Sequence, residues 1–281
     1  MPTFDTPEPI SATIELVTGD VRISAGDHSA TTVTVHPTDA TSEEDRKVAE
    51  RTRVEYANRQ LLVKAPKLPS WRPRSTGGSI DVTIELPAGS QVHGAAALAD
   101  FHCDGPLGEC RIKIGLGQIR LDGVDVLSVK SGFGDISVDH ATGRAEITAG
   151  SGDVRVRELD ADAVIKNSNG DTWVGVTGGD LRVNAANGSI AVDQADAGVD
   201  AKTANGDVRL RDVARGSVVL KTHAGDLEVG IREGTSAWLD VSATAGRVYN
   251  ALDSADAPEP STDAVEVRAR TSVGDIVIRR P

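Results

Sequence analysis

A glycine that opens a turn returns every eighteen residues through the middle of this chain. It stands at Gly134, Gly152, Gly170, Gly188 and Gly206, and aspartate follows it in four of these five copies. Later copies come at Gly225, Gly246 and Gly274, and earlier ones at Gly117 and, with alanine in place of glycine, at Ala99. A further early copy, Gly19, stands apart. A fixed period this short is typical of a repeat architecture, in which each structural unit is stacked on the next.

Each repeat carries two runs of alternating polarity around its glycine, which we number as position zero. Apolar residues occupy positions +2 and +4 after the glycine and positions −7 and −5 before it, as in Val154/Val156 and Ala163/Ile165. Alternation with a period of two indicates strands with one buried and one solvated face. Because these positions keep their register from repeat to repeat, stacked repeats would align them as columns in a narrow core.

These patterns predict an all-β fold, a β-solenoid whose coils of eighteen residues supply two strands each. One repeat cannot bury its apolar face alone, but neighbours stacked at about 4.8 Å can. The glycine supplies a positive φ at the corner, and the Asp or Asn beside it stabilises the bend. An antiparallel stack of hairpins is the competing geometry, since Asn-Gly is also a strong hairpin signal.

The first ninety residues do not follow this repeat. Residues 31–36, 52–65 and 79–87 predict strands, SEEDRKVAER predicts a short helix, and residues 66–79 predict a basic, Pro-rich loop. We therefore expect two parts, residues 1–90 as a cap and residues 91–281 as the β-solenoid. The acidic stretch LDSADAPEPSTD is a second candidate cap, because the ends of a solenoid expose unpaired strand edges.

The turn sequences carry a resemblance to a known family. SGFGDISV, AGSGDVRV, SNGDTWVG, TANGDVRL and HAGDLEVG resemble the repeats of the bacterial β-strand-repeat family called "putative adhesin", a domain of unknown function. The chain resembles the signal-less actinobacterial type, through MPTFDTPEPIS at its start and AVEVRARTSVGDI near its end. The resemblance implies a β-solenoid-like fold and no established catalytic activity, and the adhesin name implies surface display.

Charge and hydropathy argue against two classes of function, nucleic-acid binding and membrane insertion. The formal net charge of −12 argues against general nucleic-acid binding, which needs a basic footprint. No apolar run has the length that a membrane helix needs, and the first residues lack the basic start and apolar core of a secretory signal. We therefore expect no membrane insertion and a cytoplasmic location, with the cell surface as the alternative.

Basic residues recur at two outward positions of the repeat. Position −4 holds Lys113, Lys130, Lys166, Lys202, Lys221 and Arg270, and position +3 holds Arg120, Arg155 and Arg209. Stacked coils would turn them into stripes on an acidic body, which suits an anionic polymer or an acidic protein partner. The alternative is a solvated strand face whose charges pair locally and discourage aggregation.

Two tryptophans are further candidates for contact with a partner. Trp173 falls at the outward position +3, and Trp71 lies in the basic, Pro-rich loop. An exposed aromatic ring can anchor an interface. Single exposed aromatics more often serve packing, so this alternative stays open.

The remaining polar residues indicate structural roles rather than catalysis or metal binding. Aspartates at position +1 would stack in a column, but the Ca²⁺-binding repeat pattern is absent and Ser189 interrupts the row, so we interpret each Asp as the cap of its own corner. Cys103 and Cys110 fall at inward positions. The six histidines are scattered, and we find no metal-ligand set, cofactor motif or catalytic triad, so we expect no cofactor.

The sequence therefore favours a non-enzymatic binding or scaffold module that contacts a protein or an anionic polymer through its flat faces. One alternative is an adhesin-like surface protein, exported by a route that the sequence does not reveal. Another is a polysaccharide-active enzyme on a solenoid face, which needs a groove with two or three close carboxylates at outward positions.

Overall fold

The alternation of polarity produces strands along most of the chain. The computed structural model describes residues 2–66, 78–252 and 264–281, which form an all-β protein with one helix. They divide into two compact units, unit 1 with residues 1–140 and unit 2 with residues 141–281. The division predicted from the sequence, 1–90 and 91–281, separates non-repeating from repeating sequence and remains a prediction.

Unit 1 contains the helix and the first strands of the chain. They are β1 (Thr3–Asp5), β2 (Ser11–Glu15), β3 (Thr18–Gly26), β4 (Ala30–Pro37), α1 (Glu43–Arg51), β5 (Arg53–Ala57), β6 (Gln60–Lys64), β7 (Ile80–Pro87), β8 (Gln91–Leu116) and β9 (Ile119–Phe133). The next strand, β10 (Ile136–Ala141), ends at the first residue of unit 2.

The coils of unit 1 do not follow the order of the sequence. β2 pairs in parallel with both β6 and β8, and β3 pairs in parallel with both β7 and β8. The coil made of β2 and β3 therefore lies between the β6–β7 coil and the first coil of β8, which in turn pairs in parallel with β9. Gly19, isolated in the sequence, is consequently in register with Ala99.

Antiparallel strands cover the β6–β7 coil. β5 pairs with β6, β4 pairs with β7, and β1 pairs with β4. β5 and β6 form a hairpin whose turn residues, Asn58 and Arg59, have φ angles of 51° and 61°. The strands at 52–65 are confirmed, but the sequence did not reveal this turn between them. The helix is also confirmed, and the Ser42 side chain caps it by accepting a hydrogen bond from the Asp45 N–H group.

Unit 2 contains the regular part of the repeat. Its strands are β11 (Ala145–Ser151), β12 (Val154–Leu159), β13 (Ala163–Asn169), β14 (Thr172–Thr177), β15 (Leu181–Asn187), β16 (Ile190–Ala195), β17 (Val199–Lys202), β18 (Val208–Val213), β19 (Gly216–Ala224), β20 (Leu227–Ile231), β21 (Ser236–Ala245), β22 (Val248–Asn250), β23 (Ala264–Val273) and β24 (Ile276–Arg279).

Strands one repeat apart are parallel register partners in unit 2. Ile147 lies beside Ile165, and Ile165 lies beside Val183, eighteen residues further on. β12, β14, β16 and β18 stack in the same way. This register confirms the β-solenoid with two strands per coil, and it shows that the alternative of an antiparallel hairpin stack was wrong for these repeats.

The stacking order departs from the chain order again near the end of unit 2. β19 and β20 pair with β23 and β24, and these pair with β21 and β22. The β21–β22 coil therefore follows the β23–β24 coil in the stack, although it precedes it in the sequence. The predicted cap at 252–263 lies outside the described residues except for its first residue, Leu252.

The predicted inward positions form the core of unit 2. Val154, Val156, Ile165 and Val183 are fully buried, as are their counterparts in the coils on either side. Each such aliphatic side chain contributes about 1.5–3 kcal/mol on burial, so the inward side chains hold each coil on its neighbours. The β21–β22 coil is the exception: its inward side chains are only half-buried or exposed, because among the described strands it has a neighbour on one side only.

Two physical reasons explain why glycine stands at the corner, and Gly170 illustrates both. Its φ of +126° is one that side-chain-bearing residues rarely adopt. A Cβ atom there would also lie 2.2 Å from the carbonyl oxygen of Gly152 in the preceding coil. The recurrence of glycine at position zero from Gly117 onward follows from the close approach of stacked corners as well as from the turn.

Candidate binding surfaces

Position −4 forms an outward-facing column of exposed and half-buried side chains in unit 2. Strand register places Thr148, Lys166, Asn184, Lys202, Lys221 and Arg270 on successive coils. Neighbouring strands lie about 4.8 Å apart, so the last three residues put cationic side chains on three adjacent coils. We call Lys166, Lys202, Lys221 and Arg270 the basic column.

The charges of the basic column are only partly balanced. Lys166 and Lys221 are exposed and form no ion pair with any residue that the structure describes. Lys202 Nζ lies 2.7 Å from Asp200 Oδ2, and Arg270 Nη2 lies 3.2 Å from Asp240 Oδ2. Such exposed pairs contribute about 0–1 kcal/mol, so they leave the side chains free to exchange partners.

The same position is basic in unit 1. Lys113 on β8 and Lys130 on β9 are register partners. Both side chains are exposed, and neither forms an ion pair within the described ranges. Five of the eight lysines of the chain thus occupy one position of the repeat, whereas an even spread over eighteen positions would give each position less than one.

The outward position +3 differs because its charges are balanced locally. Register places Arg155, Trp173, Ala191 and Arg209 in one column. Arg155 Nη2 lies 3.1 Å from Asp153 Oδ2, and Arg209 Nη2 lies 3.0 Å from Asp207 Oδ2. These pairs fit the interpretation of a solvated strand face better than that of a row of free cations.

Trp173 is half-buried and packed along its strand face. Its Nε1 atom donates a hydrogen bond of 3.1 Å to Asp193 Oδ2. Gly175 makes room for the ring, since a Cβ atom there would lie 3.2 Å from the indole Cη2 atom. Its neighbours Thr172 and Val174 point inward and are buried, as predicted. Trp71 lies outside the described residues.

The aspartates at position +1 form hydrogen bonds between coils. Asp153 Oδ1 accepts a hydrogen bond of 3.0 Å from the Asp171 N–H group, and Asp171 Oδ1 accepts one of 2.8 Å from the Ser189 N–H group. The ladder continues through Asp207, Asp226 and Asp275. The expectation that each Asp caps its own corner was therefore wrong for these aspartates: each of their carboxylates caps the corner of the next coil in the stack.

The two cysteines lie inward on β8, as predicted. Cys103 and Cys110 are buried and are not joined by a disulfide. A hydrogen bond with Cys110, together with burial, raises the pKa of the Cys103 thiol well above its ordinary value. At neutral pH Cys103 is therefore a protonated packing group.

One groove in unit 2 brings three carboxylates together at outward positions. Asp162, Asp180 and Asp200 line a groove of about 470 Å³. Asp162 Oδ1 and Asp180 Oδ1 each accept a backbone hydrogen bond of 3.0 Å from the next coil. Asp200 Oδ2 lies 2.7 Å from Lys202 Nζ and 3.6 Å from Arg182 Nε. Each of these carboxylates thus has a structural partner through one oxygen.

Together these features define a class of protein, an all-β domain built from parallel stacked coils with outward basic positions. The chain belongs to the Toastrack DUF4097 family, whose model matches residues 11–279. This match confirms the resemblance drawn from the turn sequences. None of the curated proteins matches the sequence.

Several solved structures are similar over nearly their whole length. A putative adhesin from Bacteroides fragilis NCTC 9343 is 12% identical, with a TM-score of 0.34, and the match covers 99% of this chain and 95% of that chain. A putative adhesin from Parabacteroides merdae ATCC 43184 is 11% identical, with a TM-score of 0.30 and coverage of 100% and 95%. A putative cell adhesion protein from Clostridium sporogenes ATCC 15579 is 11% identical, with a TM-score of 0.24 and coverage of 100% and 98%.

Among the described residues, no helix has the length and apolar character that crossing a membrane requires.

Proposed function

We propose that this chain is a non-enzymatic binding module that holds an anionic polymer, or the acidic surface of a protein, along its basic column. The concentration of lysine at one outward position of the repeat carries the proposal. In a chain with a net charge of −12, five of eight lysines share this position, and four of the five form no ion pair with a described residue.

The spacing of the column explains how weak contacts would add up. Each exposed ion pair contributes about 0–1 kcal/mol, so one lysine binds little by itself. The Debye length is about 10 Å at 0.1 M salt, which exceeds the distance of about 4.8 Å between adjacent coils. Lys202, Lys221 and Arg270 therefore attract an extended anion together, and raised salt weakens that attraction.

The unit 2 groove supports the non-enzymatic part of the proposal. The enzyme alternative needs carboxylates that are free to transfer protons. Asp162 and Asp180 instead hold the corners of neighbouring coils, and Asp200 balances two cations. Substituting these carboxylates is therefore expected to lower the stability of the folded protein, because they hold neighbouring coils and cations in place.

The proposal is tested by salt-dependent binding to two defined probes, immobilised dextran sulfate and poly-glutamate. We compare the wild type with a Lys166→Ala/Lys202→Ala/Lys221→Ala variant. The matched control is Arg46→Ala/Lys47→Ala/Arg51→Ala, which removes the same charge from the exposed side of α1. Thermal unfolding of each variant confirms that it is folded.

The column variant is expected to bind at least about tenfold more weakly, since three contacts of about 0.5–1 kcal/mol are lost. The α1 variant is expected to stay within about twofold of the wild type, because it leaves the column intact. Equal weakening in both variants would show that binding depends on net charge and not on the basic column. Failure of the wild type to bind either probe at low salt would refute the proposal.

A further inference from the structure

Position −4 changes character at one coil of unit 1. Ala95 occupies the position that lysine occupies in the next two repeats, at Lys113 and Lys130. All three residues line one groove of about 260 Å³, together with His93, Arg111 and Ser128. The small side chain of Ala95, which is exposed, leaves a hollow beside the two lysines.

The charge of this groove is positive and incompletely balanced. Lys113 and Lys130 have no ion-pair partner among the described residues, and Arg111 is paired with Glu109. Two ammonium groups one strand spacing apart repel by about 1 kcal/mol in water. An anion held between them would remove this repulsion.

The carboxylate at the same position on the neighbouring strand β2 is already neutralised. Glu15 is the register partner of Ala95 on β2. Its Oε2 atom lies 2.5 Å from Lys64 Nζ. At position −4, Ala95 thus lies between a neutral ion pair, Glu15 with Lys64, and two lysines that have no ion-pair partner among the described residues.

His93 lies beside the lysines in the lining of the groove. Its Nε2 atom is buried and forms no hydrogen bond with any part of the chain that the structure describes. Since that atom has almost no solvent-accessible surface, a ligand in the groove reaches it only if the ring turns, and we assign no ligand contact to His93. His93 lies on the same strand, β8, as Arg111 and Lys113.

The donors match one class of anion. The two ammonium groups carry about six N–H donors, more than the roughly four acceptor sites of a carboxylate. A phosphate monoester carries three acceptor oxygens and a charge between about −1.5 and −2 at pH 7. We propose that the groove of unit 1 binds a phosphate monoester, between Lys113 and Lys130 and over Ala95. The site does not depend on the basic column of unit 2.

The test is a titration of ¹⁵N-labelled protein with glycerol 3-phosphate, followed by NMR at constant ionic strength. Sulfate and acetate are titrated in parallel. Two variants alter the groove: Lys113→Gln/Lys130→Gln removes the charges, and Ala95→Leu fills the hollow while both lysines stay. The matched control, Lys166→Gln/Lys221→Gln, removes two unpaired lysines from unit 2. The spectra also show whether each variant is folded.

We expect saturable shifts at the amides of Gly94, Ala95, Lys113 and Lys130 with glycerol 3-phosphate. Both groove variants are expected to weaken binding at least about tenfold, and the unit 2 control less than about twofold. If Ala95→Leu bound glycerol 3-phosphate as tightly as the wild type, the groove over Ala95 would not be the binding site. Equal weakening in the unit 2 control would show that binding depends on the overall charge of the protein and not on this groove. Equal responses to sulfate or acetate would overturn the assignment to phosphate monoesters.

Discussion

At the scale of single residues, two contacts with neighbouring coils define the corner of each coil. The missing Cβ of glycine lets the carbonyl oxygen of the neighbouring corner approach, as at Gly170 and Gly152. The Oδ1 atom of the following Asp then accepts the N–H group of the next corner, as from Asp171 to Ser189. The recurring Gly-Asp pair is therefore a contact between coils as much as a turn.

The Asp ladder predicts a difference between two substitutions at one position. Asp171→Ala leaves the Ser189 N–H group without its acceptor and should cost about 1 kcal/mol of unfolding free energy, as for loss of a helix cap. Asp171→Asn keeps an acceptor oxygen and should cost less than about half of that. Urea unfolding of the three proteins measures both differences. Equal destabilisation by Ala and Asn would show that the carboxylate charge, and not the hydrogen bond, is what matters.

The sequence predicted which way residues point, but not which partners they take. Inward and outward positions follow from the period-two alternation, which is why Cys103 was correctly predicted to point inward and position −4 to point outward. The acceptor role of Asp171 toward the next coil depends on the rise between corners, which spacing alone does not show. The hollow at Ala95 was missed, although an alanine in a row of lysines was a visible signal.

At the scale of the element, the period predicted the strands and the stacking of adjacent repeats. It did not predict where coils separated by long insertions enter the stack. β2 and β3 insert between β6–β7 and β8, and β23–β24 inserts before β21–β22. The period predicts which residues of two adjacent coils align. It does not predict which coils are adjacent, because every coil carries the same pattern of inward and outward residues. Their order is set by packing that a single sequence does not encode visibly.

The buried thiols of β8 yield a prediction about reactivity. Thiolate is the nucleophile, and the raised pKa of Cys103 lowers the thiolate fraction at pH 7.5. Iodoacetamide should therefore label neither Cys103 nor Cys110 in the folded protein, and labelling should appear in urea together with unfolding. Mass spectrometry of timed samples measures this. A Lys221→Cys variant provides an exposed thiol as the control, and fast native labelling at Cys103 would contradict its buried, protonated state.

At the scale of the whole molecule, the fold and the proposed function depend on one quantity, the rise per repeat. If eighteen residues advance the stack by one strand spacing, the inward side chains form continuous columns and the lysines of position −4 become neighbours. If each repeat were a hairpin, it would advance the stack by two spacings. The lysines would then be too far apart to hold one anionic group between them.

A distance across several coils of unit 2 measures this rise directly. Spin labels at Thr148→Cys and Lys221→Cys mark the same position four coils apart, with Lys166, Asn184 and Lys202 between them. The native cysteines are buried and are expected to stay unlabelled. Parallel coils predict a distance of about 19 Å in an electron-spin distance measurement, and a hairpin stack predicts about 38 Å. A distance near the first value supports the stacked coils and the basic column, and a distance near the second contradicts both.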